Sequence, residues 1–404
     1  MLDLSEFFSI QTSLLTRVPR SRSRFLKEAV NWNSRLLGII GGRGTGKTTL
    51  LLQQLAEQDN RDQRHLYVSA DHIRVQATGL YDIASDFFRL GGETIIIDEI
   101  HKYTNWHQEV KNLYDSFLDS KIFFSGSSTL ALQKRKTDLS RRAVFYTLPG
   151  LSFREYVYLA HGLEYQPIHL PELLKNHTVL ASKILEDGPI LGHFRHYLDH
   201  GVYPFFLEGI EDYHHKLLNV LEKVLYEDIP AAIGIKPSNV PVLKRMIWLL
   251  ATSQPFTPNI ERMSRNLGIS KEYTYTYLDS MERAGLICGI LPSETGYRLV
   301  RKPSKIYMEN TNLLRGVAGE LGGKDQAGTV RETFFAHQLK SAGMTVSIPS
   351  QGDFLVEGMY LFEVGGRSKG KSQIKGAENA YVVQDDTEVG FGNVIPLWLF
   401  GFLY

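Results

Sequence analysis

Residues 41–55 read GGRGTGKTTLLLQQL, directly after the apolar stretch LLGII of residues 36–40. Four glycines in six residues constrain this chain more than any other feature of it. Glycine gives up more backbone freedom on ordering than any other residue. Crowding glycines between a buried strand and an apolar helix makes sense where the backbone N–H groups themselves are used. The spacing Gly41-x-x-x-x-Gly46-Lys47-Thr48 matches the strand–loop–helix pattern whose N–H groups curl around a phosphate. The helix start behind it adds a partial positive charge. In that pattern Gly41, Gly42, Arg43, Gly44, Thr45, Gly46, Lys47, Thr48 and Thr49 make the cradle. Lys47 reaches the β- and γ-phosphates, and the Thr48 hydroxyl ligates Mg²⁺. The ligand implied is ATP with Mg²⁺.

A second stretch, GGETIIIDEIH at 91–101, supports the first. Its β-branched run reads as a strand buried on both faces, as in a parallel sheet. It ends in Asp98-Glu99, at the edge where α/β sheets bind ligands. Asp98 is expected to hold Mg²⁺, directly or through water, and Glu99 to act as general base on the attacking water. A glutamate there favours water over a substrate hydroxyl as phosphoryl acceptor. Further strands are expected at 64–71, 121–128 and 142–150, separated by helical patterns, which implies a mostly parallel three-layer α/β domain. FFSGSS ends its strand in small hydroxyls, so Ser125 or Ser127 is a candidate partner of the attacking water or γ-phosphate, with turn chemistry as the alternative. Arg141 and Arg142 follow in DLSRR, either as a solvated basic turn or with an arginine that completes a neighbouring subunit's site.

Length and composition narrow the rest. A chain of 404 residues is expected to form two or three domains. Lys and Arg number 45 against 44 Asp and Glu, so no global basic field advertises nucleic acid or anionic membrane. The one cysteine, Cys288, allows no internal disulfide, which fits a reducing cytoplasm and also many secreted proteins; a cytoplasmic place is the expectation. No apolar run reaches membrane-spanning length, and the acid-bearing N-terminus does not read as a secretory signal.

The motifs Gly41-to-Thr48, IIIDEIH, FFSGSS, DLSRR and LPGLSFREY, in this order and at short spacings, resemble a prokaryotic AAA-type ATPase family. In that family the P-loop domain is followed by a winged helix and a nuclease-like C-terminal domain of unknown function. The resemblance is specific over the first 160 residues and looser beyond. It implies binding and hydrolysis of ATP with Mg²⁺. It also implies that the final motif, residues 148–156, closes the ATPase core. From the residues alone, Ser152 and Glu155 form a capping box.

The expected organisation is an N-terminal helical segment at 1–30, an AAA-like P-loop domain at 31–160, a helical and winged-helix part at 161–316, and a small α/β restriction-endonuclease-like domain at 317–404. Residues 241–310 read as a winged helix, with helix, turn and helix over 258–285 and the stretch from Leu286 as a hairpin wing carrying Arg298, Arg301, Lys302 and Lys305. The wing is a DNA-binding candidate or a solvated basic face. Glu332, Asp353 and Glu363 follow the order of the PD-(D/E)xK nuclease pattern, so Asp353 and Glu363 form a candidate second metal site or are structural remnants of one, and a nuclease-like fold without efficient cleavage is expected. Glycine stands at 365, where that pattern has its lysine. Lys369 and Lys371 lie off the strand register, and Lys369 reaches the site only if the chain after Gly366 folds back. The leading expectation is ATP hydrolysis that changes inter-domain or partner geometry. An ATP-regulated DNA nuclease and a nucleotide-dependent switch with little turnover stay open, as do a DNA or protein partner and a homo-oligomer.

Overall fold

The computed structural model describes residues 2–58, 62–126, 139, 141–293, 305–322, 327–370, 374 and 376–404. The chain divides into two compact units, Met1–Pro149 and Gly150–Tyr404.

In the first unit, β1 (Leu36–Ile40), β2 (His65–Ser69), β3 (Thr94–Asp98), β4 (Lys121–Gly126) and β5 (Val144–Thr147) form one sheet in the order β2-β3-β4-β1-β5. All of its pairings are parallel. The near-continuous apolar runs follow from burial on both faces. Alternate residues feed two separate cores. Leu36, Ile40, Ile95, Ile97, Ile122 and Phe124 pack on one face with α5 (Leu80–Arg89) and α6 (Trp106–Ser116). Leu37, Ile39, Ile96 and Phe123 pack on the other with Leu50, Leu51 and Leu55 of α3 (Lys47–Ala56). The N-terminal helix α1 (Ser5–Arg17) lies along β2, where the buried Gln11 side chain accepts from the Tyr67 N–H (2.7 Å) and donates to the His65 carbonyl (3.1 Å). Gln53 on α3 ties down the following segment, donating to the carbonyls of Pro19 and Arg22 at 2.6 and 2.9 Å.

The second unit begins with the expected capping box: the Ser152 hydroxyl accepts from the Glu155 N–H at 3.0 Å, and the Glu155 carboxylate accepts from the Ser152 N–H at 3.3 Å. The helix it opens, Phe153–His161, finds its partners inside this unit. Phe153 packs edge-on against Phe194 and Phe402, and Arg154 donates to the carbonyls of Tyr165 and Tyr404. Helices Leu170–Leu185, Ile190–His200, Tyr213–Lys223 and Val240–Thr252 follow, the helical stretch expected within 161–316. Next come Ile260–Leu267, Lys271–Arg283 and an antiparallel pair, β6 (Ile287–Ile290) with β7 (Lys305–Met308). The wing residues Arg298, Arg301 and Lys302 fall outside the described residues.

The C-terminal sheet has the order β12-β11-β10-β9-β8 and is mixed. β8 (Val346–Ser347), β9 (Phe354–Val356) and β10 (Tyr360–Gly365) pair antiparallel, while β10, β11 (Ala380–Gln384) and β12 (Val394–Pro396) pair parallel. The apolar tail resolves into the short β12 and a 3-10 turn, Leu397–Phe402, whose Phe400 packs on Phe335 of helix Ala327–Ser341. A buried polar knot holds the unit together. Asn312 donates to the Tyr197 and Leu198 carbonyls and accepts from the Val202 N–H, and Gln338 donates to the Tyr197 hydroxyl. Each buried group left unpaired there would cost about 1–3 kcal/mol.

Candidate nucleotide site

The loop between β1 and α3 leaves no room for side chains at its first glycine. A Cβ on Gly41 would sit 2.2 Å from the Leu148 carbonyl oxygen at the end of β5. Gly44 and Gly46 take φ of 79° and 92°, the left-handed region that favours glycine. The Thr45 hydroxyl donates to the Gly42 carbonyl at 3.0 Å and ties the turn. Lys47, though buried, lies across the loop and donates to the carbonyls of Gly41 (3.1 Å) and Gly42 (2.7 Å). The ammonium is thus held at the loop that a phosphate would occupy. Thr49 lies half-buried on the first turn of α3.

Asp98 at the end of β3 meets this loop. The Thr48 hydroxyl donates to its Oδ2 at 2.7 Å, bringing together the two expected Mg²⁺ ligands. The Tyr67 hydroxyl donates to the same oxygen at 2.9 Å, and the buried Ser125 hydroxyl donates to Oδ1. Burial and the Asp98 charge push the Tyr67 phenol far above its ordinary pKa, so it remains a donor at any working pH. The donor set is hard oxygen throughout, which suits Mg²⁺. The next residue, Glu99, adopts φ 51°, ψ 37°, uncommon for a residue with a side chain. Its N–H donates to the Ser125 hydroxyl at 3.2 Å. Its Oε2 lies 3.8 Å from the Arg43 guanidinium and 3.5 Å from His101 Nε2. One serine thus positions the backbone of the candidate base and the candidate metal ligand together.

Two contributors escaped the sequence reading. Tyr67 reads as one more apolar residue of β2. Arg24 sits in SRSRF, a stretch that reads as solvated, yet it is buried and donates to the Thr45 and Pro149 carbonyls at 2.5 and 2.9 Å, bracing the loop from behind. No local signal marks either residue.

Arg142 is not brought to this site. It precedes β5, at the N-terminal edge of the sheet, and its guanidinium forks onto Asp115 at 3.0 and 3.1 Å. That hydrogen bond holds the Asp115 carboxyl below its usual range. Ser127 lies outside the described residues.

Residues 33–157 match the family described as an AAA domain, and residues 191–322 match a domain of unknown function. The first unit has the parallel sheet and glycine loop of a P-loop fold, and the AAA match covers most of it. An uncharacterized protein of Methanocaldococcus jannaschii is 28% identical, the match covering 96% of this chain and 91% of that protein. Among solved structures, a Walker-type ATPase of Pyrococcus abyssi superposes with a TM-score of 0.41 at 13% identity, covering 75% of this chain and 99% of that one. AMPPCP-bound DnaA of Aquifex aeolicus gives 0.28 at 15% identity, covering 69% and 88%. Superpositions this loose carry no argument, so the assignment rests on the family match, the strand order and the loop geometry. No helix among the described residues is long and apolar enough to cross a membrane.

The second unit gathers its own acids. Asp353 precedes β9 and accepts from the Val364 N–H at 2.8 Å, while Glu363 lies fully buried in β10. The chain does fold back after Gly366. Lys369 crosses Gly365, where a Cβ would lie 2.5 Å from the lysine side chain, and its Nζ reaches Glu363 Oε1 at 2.5 Å. Gln384 holds this turn by donating to the Lys369 carbonyl at 2.8 Å. Glu332 pairs with Lys305 Nζ at 2.9 Å and accepts from the Tyr307 hydroxyl at 3.0 Å. Burial raises the Glu363 pKa against the pull of Lys369, and the Asp353 and Glu332 charges add to the rise. Lys371 is outside the described residues. Among the described residues no three His, Cys, Asp or Glu side chains converge closely enough to hold a metal ion.

Proposed function

We propose that this chain is a Mg²⁺-dependent ATPase that uses nucleotide turnover to rearrange its own domains or a bound partner. The observation that carries this is the meeting of Thr48 with Asp98 beside a Lys47 held at the loop mouth. The loop N–H groups and Lys47 would bind the phosphates, and Thr48 and Asp98 would hold Mg²⁺, whose charge would offset that of the phosphates. Glu99 takes the proton of the attacking water. Ser125 keeps Glu99 and Asp98 in register.

Release of free phosphate by purified protein, with and without Mg²⁺, tests the reading. Lys47→Ala should weaken nucleotide binding without unfolding the domain. Equal calorimetric affinities for wild type and variant would sink the phosphate cradle. Tight binding with negligible phosphate release would leave the switch reading in its place.

A second reading, an ATP-regulated DNA nuclease in the second unit, is favoured by Lys369. Its ammonium lies beside Glu363 although the strand lacks the lysine of the PD-(D/E)xK order. Asp353 and Glu363 would be the metal-holding pair and the winged-helix-like segment the DNA contact. The measurement is cleavage of supercoiled and linear DNA with Mg²⁺ or Mn²⁺, with and without ATP. Cutting that disappears in Glu363→Ala would establish it. A role for Arg142 toward a neighbouring subunit belongs to a homo-oligomer. Mixing Arg142→Ala with Glu99→Gln protein should then recover activity, and no recovery would remove it.

A further inference from the structure

The proposed mechanism uses Arg43 only as part of the loop, yet the structure turns its side chain toward the candidate base. Arg43 Nη1 and His101 Nε2 both approach Glu99 Oε2, at 3.8 and 3.5 Å, and His101 is almost fully buried. The Glu99 backbone is held in the left-handed region and tied to Ser125, which anchors the point from which its side chain reaches. The ion pair therefore spans a definite gap, from the third residue of the glycine loop to the strand end.

That gap has a chemical meaning. In-line attack places the water between the base and the terminal phosphate. On the nucleotide-loop reading a γ-phosphate would lie between the loop and Glu99, in the space the Arg43–Glu99 pair closes, whereas a β-phosphate held by the loop N–H groups would stay outside it. A guanidinium facing a carboxylate and an incoming phosphate is contested by two anions, and it binds phosphate well.

We propose that Arg43 is shared between Glu99 and the γ-phosphate, so that a nucleoside triphosphate, but not a diphosphate, draws it off the base. The site then senses the third phosphate, and the base is released for the attacking water by the ligand it acts on. Arg43 is a positioning residue here, acting through Glu99. This rests on the reading of residues 41–49 as a nucleotide loop.

The test is a binding cycle without turnover. ADP and a non-hydrolysable ATP analogue are titrated by calorimetry, with Mg²⁺, into wild type, Glu99→Gln, Arg43→Ala and the double variant. Removing the Glu99 charge should tighten the triphosphate roughly threefold or more, the range of a partly exposed ion pair. ADP affinity should stay unchanged. In the Arg43→Ala background the gain should vanish, and Arg43→Lys should restore part of it. Simple repulsion between Glu99 and the γ-phosphate predicts the opposite, an equal or larger gain without Arg43. That result, or the same gain for ADP, overturns the proposal. Absence of nucleotide binding by the wild type would overturn the nucleotide-loop reading itself, whereas binding without coupling overturns this inference alone.

Discussion

Asp98 ends a strand of the first unit, Glu363 lies inside a strand of the second and Glu332 on a helix there, and the two units partner these carboxylates differently. Asp98 is surrounded by hydroxyls, those of Thr48, Tyr67 and Ser125. Hydroxyl donors orient a carboxylate and leave its full negative charge for a cation. Glu363 and Glu332 are each met by a lysine, Lys369 and Lys305. An ammonium cancels much of the charge that would attract a metal. The contrast favours the first site as the place where Mg²⁺ is taken up, and it makes Lys369 the residue that decides whether the second site can do likewise.

The hardest blow to this contrast would come from Glu99→Gln. Loss of a general base should lower ATP turnover by about a hundred- to ten-thousandfold while nucleotide binding persists. Wild-type phosphate release by the variant would leave the first site as a binding loop only.

Next in size is Lys369→Met. It strands the buried Glu363 charge, and because the ammonium is itself about a third exposed, the loss should fall near the low end for broken buried pairs, about 1–3 kcal/mol in denaturant unfolding. An unchanged midpoint would show that Glu363 is protonated or otherwise compensated. Stability regained on adding Mg²⁺ would instead reveal a metal competing with the lysine.

Tyr67→Phe removes one hydroxyl from Asp98 and keeps the ring in its core. Outer partners of metal ligands typically matter ten- to a hundredfold, so the apparent Mg²⁺ affinity of turnover should fall by roughly ten times. No change would mean that the phenol serves packing alone. Smallest of all, Arg142→Ala should leave turnover of the isolated chain within about twofold, since its partner is the exposed Asp115. A large fall would force a subunit contact.

What the sequence made legible follows from distance along the chain. Gly41 to Thr48 and Asp98-Glu99 each carry their chemistry within a few residues, on elements whose apolar runs announce a parallel sheet. Alternation of strands and helices therefore fixed the architecture of the first unit. Tyr67 and Arg24 were hidden, and Lys369 could be named only on condition of a fold-back, for one shared reason: each acts through partners that folding alone brings near. A tyrosine in an apolar strand looks like core until Asp98 arrives from 31 positions away. Arg24 looks solvated until a loop carbonyl covers it. Lys369 looks misplaced until Gly365 makes room for its side chain to lie back across the strand.

One contact in the first unit bears on how copies of this chain could associate. β2 is an outer strand, and outer strands offer unpaired N–H and C=O groups to any passing chain. Gln11 imitates a neighbouring strand there, taking the Tyr67 N–H and giving to the His65 carbonyl. Edge-to-edge recruitment of a foreign strand at this border is thereby blocked, as is runaway ribbon growth from it. An N-terminal deletion that removes the helix bearing Gln11 should uncover this border and make the protein clump.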